Sequence, residues 1–154
     1  MKNLKAAALA LAIFGPVTAY AEGTKIGTAP LLLAVGVTNI SAQFQLGDNS
    51  AIVARYNDID GTYLNTTIDL TSYSVAYKNY FSNYANGGYF EVGAANFDVD
   101  VSTNSDFTTG SAIIPILVLG YEWGFDSGIV LGVEGGLGTS GGMGVIGVNA
   151  SYQF

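Results

Sequence analysis

The chain contains no cysteine and no histidine in its 154 residues. Without cysteine it can form no disulfide, and it offers no attachment point for the lipid of a lipoprotein. Without histidine it lacks the commonest general base and the commonest metal ligand, which excludes a serine–histidine pair. We therefore expect neither an enzyme nor a cofactor. Chemistry by carboxylates alone or by a serine–lysine pair stays open, but no motif points to it.

Positive charge is also scarce, with five lysine and arginine residues against 12 aspartate and glutamate residues. This balance argues against nucleic acid as a partner, because phosphate binding needs clustered basic side chains. Charged residues of both signs make up 11% of the chain, against about 25% in a soluble domain. Hydrophobic residues make up 49%, yet no apolar run approaches the about 20 residues of a spanning helix. Such a chain can still enter a membrane as a closed β-barrel.

The N-terminus has the pattern of a secretory signal peptide. Lys2 and Lys5 form a basic start, residues 6–15 are apolar, and a small-x-small cleavage site follows. We expect residues 1–21 to be removed, leaving 22–154 as a single domain. The destination that this predicts is the outer membrane of a Gram-negative-type bacterium.

Apolar residues alternate with small or polar residues along much of the remaining chain, which predicts strands with one apolar face. The alternating segments are 39–46, 51–56, 72–78, 89–95, 117–125, 129–138 and 144–154. A barrel with both ends in the periplasm needs an even number of strands, so parity asks for one more within 24–34. The alternative for 30–35 is a short plug or helical turn. The predicted fold is all-β: an antiparallel, up-and-down transmembrane barrel of eight strands.

The connections between these segments are of two kinds that alternate along the chain. Residues 47–49, 82–88 and 126–128 are short or rich in glycine and asparagine, whereas 57–67 and 98–111 are long, polar and acidic. Bacterial barrels have short periplasmic turns and longer extracellular loops. We therefore expect the two long segments to be surface loops that carry any recognition, as loops on rigid scaffolds often do.

A soluble sandwich or lipocalin-like barrel is the alternative arrangement of the same strands. Its outer face would carry charge, whereas the less apolar face here carries mainly small and polar residues, which suit a narrow lumen. The aromatic residues share the apolar face, as in the aromatic girdles of membrane barrels. They are Tyr56, Tyr73, Tyr77, Phe90, Tyr121, Trp123, Phe125, Tyr152 and Phe154.

Two features resemble known outer-membrane barrels. The terminal Phe154, with Tyr152 on the same face, resembles the signal that such barrels present to the barrel-assembly machinery. Residues 119–128 (LGYEWGFDSG), with 80–82 (YFS) and 30–33 (PLLL), resemble a family of small uncharacterised outer-membrane barrel proteins with a G-Y-x-W-x-F-D-S-G-like hairpin. The resemblance implies the barrel, its location, and contact with lipid and lipopolysaccharide. It implies no activity.

Charged residues at inward positions are the first candidate site. They are Arg55, Lys78, Glu91, Glu122 and Glu134. The favoured interpretation is an internal ion-pair network, because an eight-stranded barrel is only just wide enough to be filled by its own side chains. The alternative is a proton or ion path, or a carboxylate pair for acid–base work.

The acidic segment around Asp58 and Asp60 is the second candidate. Residues 57–61 place oxygen ligands two apart before a glycine, loosely like a calcium loop, but the later ligands of that motif are missing. A solvated acidic loop is favoured over a metal site.

Three functions remain from the sequence. The leading one is a structural or surface-binding protein anchored by its barrel. The second is a narrow pore or ion-conducting channel. The third is a secreted β-rich fibre subunit, which would require internal repeats that the sequence does not contain.

Overall fold

The computed structural model describes residues 23–34, 36–63, 66–103, 106–137 and 146–154. The predicted signal peptide at 1–21 lies outside these residues, and so do residues 139–142, which the sequence pattern makes the connection between the last two alternating segments. Within the described ranges, no helix is both long enough and apolar enough to cross a membrane.

Eight strands form a closed barrel in which each strand pairs antiparallel with the next and the last returns to the first. The strands are β1 (Lys25–Thr28), β2 (Thr38–Gly47), β3 (Ser50–Tyr63), β4 (Thr66–Tyr80), β5 (Gly87–Ser102), β6 (Phe107–Gly124), β7 (Ile129–Leu137) and β8 (Ile146–Gln153). Closure leaves no free edge within the barrel wall. The predicted fold class and strand number are confirmed.

A short helix, α1 (Pro30–Ala34), follows β1. Proline suits the first turn of a helix, because the N–H that it lacks would have no helical partner there. The amide nitrogen of Leu33 donates to the Ala29 carbonyl at 3.2 Å, and the Ala29 amide donates to Asn39 Oδ1 at 2.8 Å. The two alternatives for 24–34, a strand and a helical turn, therefore both occur, one after the other.

The predicted alternation of faces holds around the barrel. Leu117 and Leu119 are exposed on the outside of β6, whereas Val118 between them is fully buried. Most of the predicted outward aromatic residues are exposed. Three other aromatic side chains are buried and pack in one core cluster inside the barrel. They are Tyr80, Tyr89 and Phe97, which are not among the predicted outward residues.

The prediction that 57–67 and 98–111 are loops is wrong. β3 and β4 run through the first segment and β5 and β6 through the second, paired in register to their tips. Polarity suggested loops, but the aspartates within these strands lie on one solvated face while Ile59, Leu70 and Val99 continue the inner face. Threonine, valine and isoleucine favour strands, and neighbouring strands satisfy the backbone hydrogen bonds.

The central strands are longer than a membrane requires. β2, β7 and β8 have 10, 9 and 8 residues, whereas β3 to β6 have 14, 15, 16 and 18. About 9–11 tilted residues cross a bilayer. β3 to β6 therefore continue past one rim of the barrel as a four-stranded sheet. We call this the protruding sheet, comprising residues 58–63, 66–71, 98–102 and 107–111.

Gly93 is required where β4 and β5 approach closely. A Cβ at this position would lie 2.5 Å from Ala76 Cα and against the Val75 carbonyl oxygen. Because backbone cannot yield as a flexible side chain can, we expect Gly93→Ala to lower the free energy of unfolding by about 1–3 kcal/mol. Urea unfolding in detergent, followed by fluorescence of Trp123, the only tryptophan, measures this.

Gly110→Ala is the matched control for Gly93→Ala, because a Cβ on Gly110 would meet nothing within 4 Å. Equal unfolding midpoints for the two variants would contradict the close approach of β4 and β5.

Candidate functional site

Charged side chains from six strands meet inside the barrel. All five residues predicted for this network are buried there, and Lys25 joins them. Lys25 escaped prediction because β1 is only 4 residues long and alternates weakly. The sequence nevertheless contained the information needed to predict it. Beyond residue 22 the chain has only three basic residues, Lys25, Arg55 and Lys78, and since the exterior is apolar, all three are expected in the lumen.

Glu122 is the centre of the first half of the network. Its carboxylate bridges two ammonium groups, with Lys25 Nζ at 2.5 Å and Lys78 Nζ at 2.6 Å. The Tyr80 hydroxyl donates to Glu122 Oε2 at 2.7 Å and accepts from Lys25 Nζ at 3.0 Å and Gln43 Nε2 at 2.8 Å. The carboxylate thus accepts from three donors that lie on two different strands, β1 and β4.

Arg55 is the centre of the second half. Its Nη2 donates to both oxygens of Glu91, at 2.9 and 2.7 Å, and lies 3.7 Å from Glu134 Oε2. The Tyr89 hydroxyl donates to Glu134 Oε2 at 2.8 Å. Lys78 Nζ lies 3.3 Å from Glu91 Oε1, which joins this half to the first.

The network is balanced in charge. The cations Lys25, Arg55 and Lys78 face the carboxylates Glu91, Glu122 and Glu134, so the formal charge of the set is zero. Removing an ion from water costs several kcal/mol, and only close partners in good geometry offset this cost. The six charged groups are therefore stable inside the barrel only together, and each would be unfavourable there alone.

Aromatic side chains fill the space that the ion pairs leave. Tyr80 and Tyr89 are both 0% exposed, with ring centroids 5.6 Å apart. Lys78 Nζ lies 3.5 Å from the centroid of the Tyr89 ring, which places the ammonium against the negative face of the ring. Side chains thus occupy the cross-section of the lumen at this level.

One small polar cavity remains beside the ion pairs. It has a volume of about 30 Å³ and is lined by residues that include Lys25, Arg55, Glu122 and Asn149. A water molecule needs about 10–15 Å³ by the same measure, whereas small-molecule sites have several hundred. Among the described residues, Arg55 Nη1 is the one buried side-chain nitrogen or oxygen without a hydrogen-bond partner. The cavity therefore suits water near this donor and has no room for a substrate.

Hydrogen bonds also connect different strands and turns at both ends of the lumen. Towards the protruding sheet, Asn39 Nδ2 donates to Asn57 Oδ1, and Asn57 Nδ2 donates to Ser72 Oγ at 2.9 Å. At the opposite end, the Tyr84 hydroxyl donates to the Gly23 carbonyl oxygen. Tyr84 lies in the turn between β4 and β5, and its burial raises the pKa of the hydroxyl, which stays a donor.

Asp58 and Asp60 do not form a calcium loop. They lie on the outer face of β3, and extended strand cannot wrap its oxygens around one ion. The Thr71 hydroxyl donates to Asp58 Oδ1 at 3.4 Å. No group of three or more potential metal ligands is present in the described part of the chain.

The residues of the predicted assembly signal lie on the outside of the barrel. Tyr152 is 49% exposed and Phe154 is 62% exposed, and their rings meet edge to face with centroids 5.1 Å apart. Recognition of Tyr152 and Phe154 by the barrel-assembly machinery stays a prediction.

The fold and the lumen together define the class of the protein: a β-barrel with an apolar exterior and a charged, filled interior, which is the arrangement of membrane-spanning barrels. No protein-family model matches the sequence, and no curated protein matches it either. The resemblance of residues 119–128 to a barrel family stays a prediction.

Solved structures that are similar to the chain include two of Ail, the attachment invasion locus protein of Yersinia pestis. The first has 12% sequence identity and a TM-score of 0.48, with 86% of this chain and 94% of that chain covered. The second, of Ail in complex with the heparin analogue sucrose octasulfate, has 13% identity and a TM-score of 0.40 over the same shares.

Glu122→Gln tests the network at its centre. The amide keeps the shape of the side chain but leaves Lys25 and Lys78 without their shared counter-charge. Breaking a buried pair on one side costs about 3–5 kcal/mol, and we expect a loss of unfolding free energy in this range. Urea unfolding by Trp123 fluorescence measures it.

Asp126→Asn removes an exposed carboxylate from the turn before β7 and is the control, with an expected change within about 0.5 kcal/mol. If Glu122→Gln unfolds at the same urea concentration as Asp126→Asn, the ion pairs do not hold the barrel.

Proposed function

We propose that the chain is an outer-membrane protein whose barrel anchors the protruding sheet on the outside of a Gram-negative-type cell, where the sheet binds other molecules. The observation that carries the proposal is the inverted distribution of charge. Every described lysine, arginine and glutamate points into the barrel, and large apolar side chains cover its wall. Water-exposed apolar area of this extent is unfavourable on a soluble monomer, whereas lipid accepts it.

Aromatic side chains support membrane insertion further. Tyr121 and Trp123 lie side by side on the outside of β6 with ring centroids 4.8 Å apart, and Phe125 follows at the strand end. Tyr56 and Tyr73 pair on the outer face nearer the protruding sheet, with centroids 5.2 Å apart. Aromatic groups at two heights suit the two interfaces of a bilayer.

The turns support one orientation. β2–β3, β4–β5 and β6–β7 are joined by short turns at the end where the chain also terminates, and the protruding sheet lies at the opposite end. Short turns are periplasmic in bacterial barrels. The protruding sheet is then extracellular, and it takes the role that the sequence assigned to loops.

The filled lumen favours an anchor over a pore. An ion moving through it would have to separate the Glu122 and Arg55 pairs and pass the buried rings of Tyr80 and Tyr89. The fibre alternative gains no support, because closure of β1 on β8 uses the edges that a stack of subunits would need.

Cysteine labelling tests the orientation, and the absence of native cysteine makes single-cysteine variants unambiguous. Thr109, in the protruding sheet, and Ser127, in the turn before β7, are both exposed. We expect a bulky, membrane-impermeant maleimide to label Thr109→Cys on intact cells. We expect Ser127→Cys to be labelled only after the outer membrane is permeabilised. The reverse pattern would place the sheet in the periplasm.

A further inference from the structure

The small cavity in the lumen lies where the inner wall of the barrel is built from small residues. Gly27, Ser41 and Ser151 line it from β1, β2 and β8. These residues are direct neighbours in the sheet, since Gly27 pairs with Ser41 on one side and with Ser151 on the other. The large buried rings of Tyr80 and Tyr89 come from β4 and β5, across the barrel from β1. The small residues therefore leave space on their side of the lumen that the rings do not fill.

The charges around the cavity are not balanced, although those of the whole network are. Three of the four charged residues that the structure places in its lining are cations. The cations are Lys25, Arg55 and Lys78, and the fourth residue is Glu122. The remaining carboxylates, Glu91 and Glu134, lie outside the lining and face Arg55 Nη2. Because charges interact strongly in a low-dielectric interior, this excess of positive charge favours a negatively charged occupant.

Arg55 provides the most specific evidence for such an occupant. Its side chain is 5% exposed. Nη2 donates to both oxygens of Glu91, whereas Nη1 has no hydrogen-bond partner among the described residues. A buried donor without a partner is unfavourable, and a bound water or ion is a common reason for finding one. Since Arg55 lines the cavity, an occupant of the cavity is the partner available to Nη1.

The size of the cavity limits the occupant to a single small ion. Its volume of about 30 Å³ compares with about 10–15 Å³ for one water molecule. A halide ion is only slightly larger than water, whereas sulfate, phosphate and organic acids have several heavy atoms and do not fit. Ser41 and Ser151 are partly exposed within the lumen, and their hydroxyl groups can rotate to donate to an anion.

We propose that the lumen binds one monovalent anion of the size of chloride, which accepts from Arg55 Nη1 and lies among Lys25, Ser41 and Ser151. The lining comes from six strands, β1 to β4 with β6 and β8, so the site exists only in the closed barrel. An ion that binds only the folded chain stabilises it. This site goes beyond the proposed function and does not depend on which side of the membrane the protruding sheet occupies.

Bromide is the probe, because it substitutes for chloride and its anomalous X-ray scattering distinguishes it from water. Crystals of residues 22–154, refolded in detergent and grown in sodium bromide, should show an anomalous peak in the lumen within hydrogen-bond distance of Arg55 Nη1. Density there without an anomalous signal would mean that the cavity holds water only. Anomalous peaks confined to the outer surface would mean adventitious ions only. Either of these results would overturn the proposal.

Two variants of Ser41 separate charge from volume in solution, because aspartate and asparagine have the same shape. Ser41 lies directly opposite Arg55, so Ser41→Asp places a tethered carboxylate beside the cavity that Arg55 lines. Urea unfolding in detergent is followed by circular dichroism in sodium gluconate, whose anion is too large for the cavity. We expect Ser41→Asp to unfold at a higher urea concentration than Ser41→Asn. An equal or lower midpoint for Ser41→Asp would contradict a site that selects an anion.

Ser74 provides the matched control, since it lies opposite Arg55 on the other neighbouring strand and is not part of the cavity lining. Ser74→Asp should unfold at no higher urea concentration than Ser74→Asn, because Arg55 Nη2 on the carboxylate side already pairs with Glu91. A higher midpoint for aspartate at both positions would mean that any carboxylate beside Arg55 is stabilising, and it would overturn the proposal.

Replacing gluconate by bromide at equal sodium concentration completes the test. The midpoint of the native chain, measured relative to that of Ser41→Asp, should rise with bromide and level off as the site saturates. The comparison with Ser41→Asp removes general effects of the salt, because the tethered carboxylate leaves no place for a free anion. Parallel responses of the two chains at all bromide concentrations would contradict binding in the lumen.

Discussion

The buried ion pairs are the interaction on which the rest of this structure depends. Lys25, Arg55 and Lys78 supply the cations, and Glu91, Glu122 and Glu134 supply the anions, each from a different strand. Because each of these charges is paired with an opposite charge inside the barrel, the outer wall can be apolar all round. The same pairs link β1 to β6 and β3 to β7 across the lumen, so they favour one closed arrangement over open sheets.

The apolar wall in turn determines where polar chemistry can occur on the outside. Within the height of a bilayer, the outward positions are apolar or aromatic, whereas beyond it β3 to β6 exchange these residues for aspartate, threonine and serine. The strands keep the same backbone pairing where they leave the bilayer, and only their surroundings change, from lipid to water. One continuous sheet is therefore both part of the anchor and the displayed surface.

The fold was predictable from the sequence because period-two alternation reports which face of a strand meets lipid, and Glu91, Glu122 and Glu134 follow from it directly. The protruding sheet was not, because Asp58 and Asp98 in a strand resemble loop residues until their neighbours are known. Lys25 was missed since so short a strand has too few residues for a period. The contacts of Tyr80 and Tyr89 depend on packing between distant strands, which no local pattern contains.

Electrophoretic mobility of residues 22–154 refolded in detergent, with and without boiling, tests the central claim most directly. A closed barrel held by internal ion pairs should resist dodecyl sulfate until heated. The account predicts that the unboiled chain migrates as a separate, heat-modifiable band and shows a β-type circular dichroism spectrum. A single mobility before and after boiling, from a chain that dissolves in plain buffer, would contradict it and would mean that the apolar face does not meet lipid.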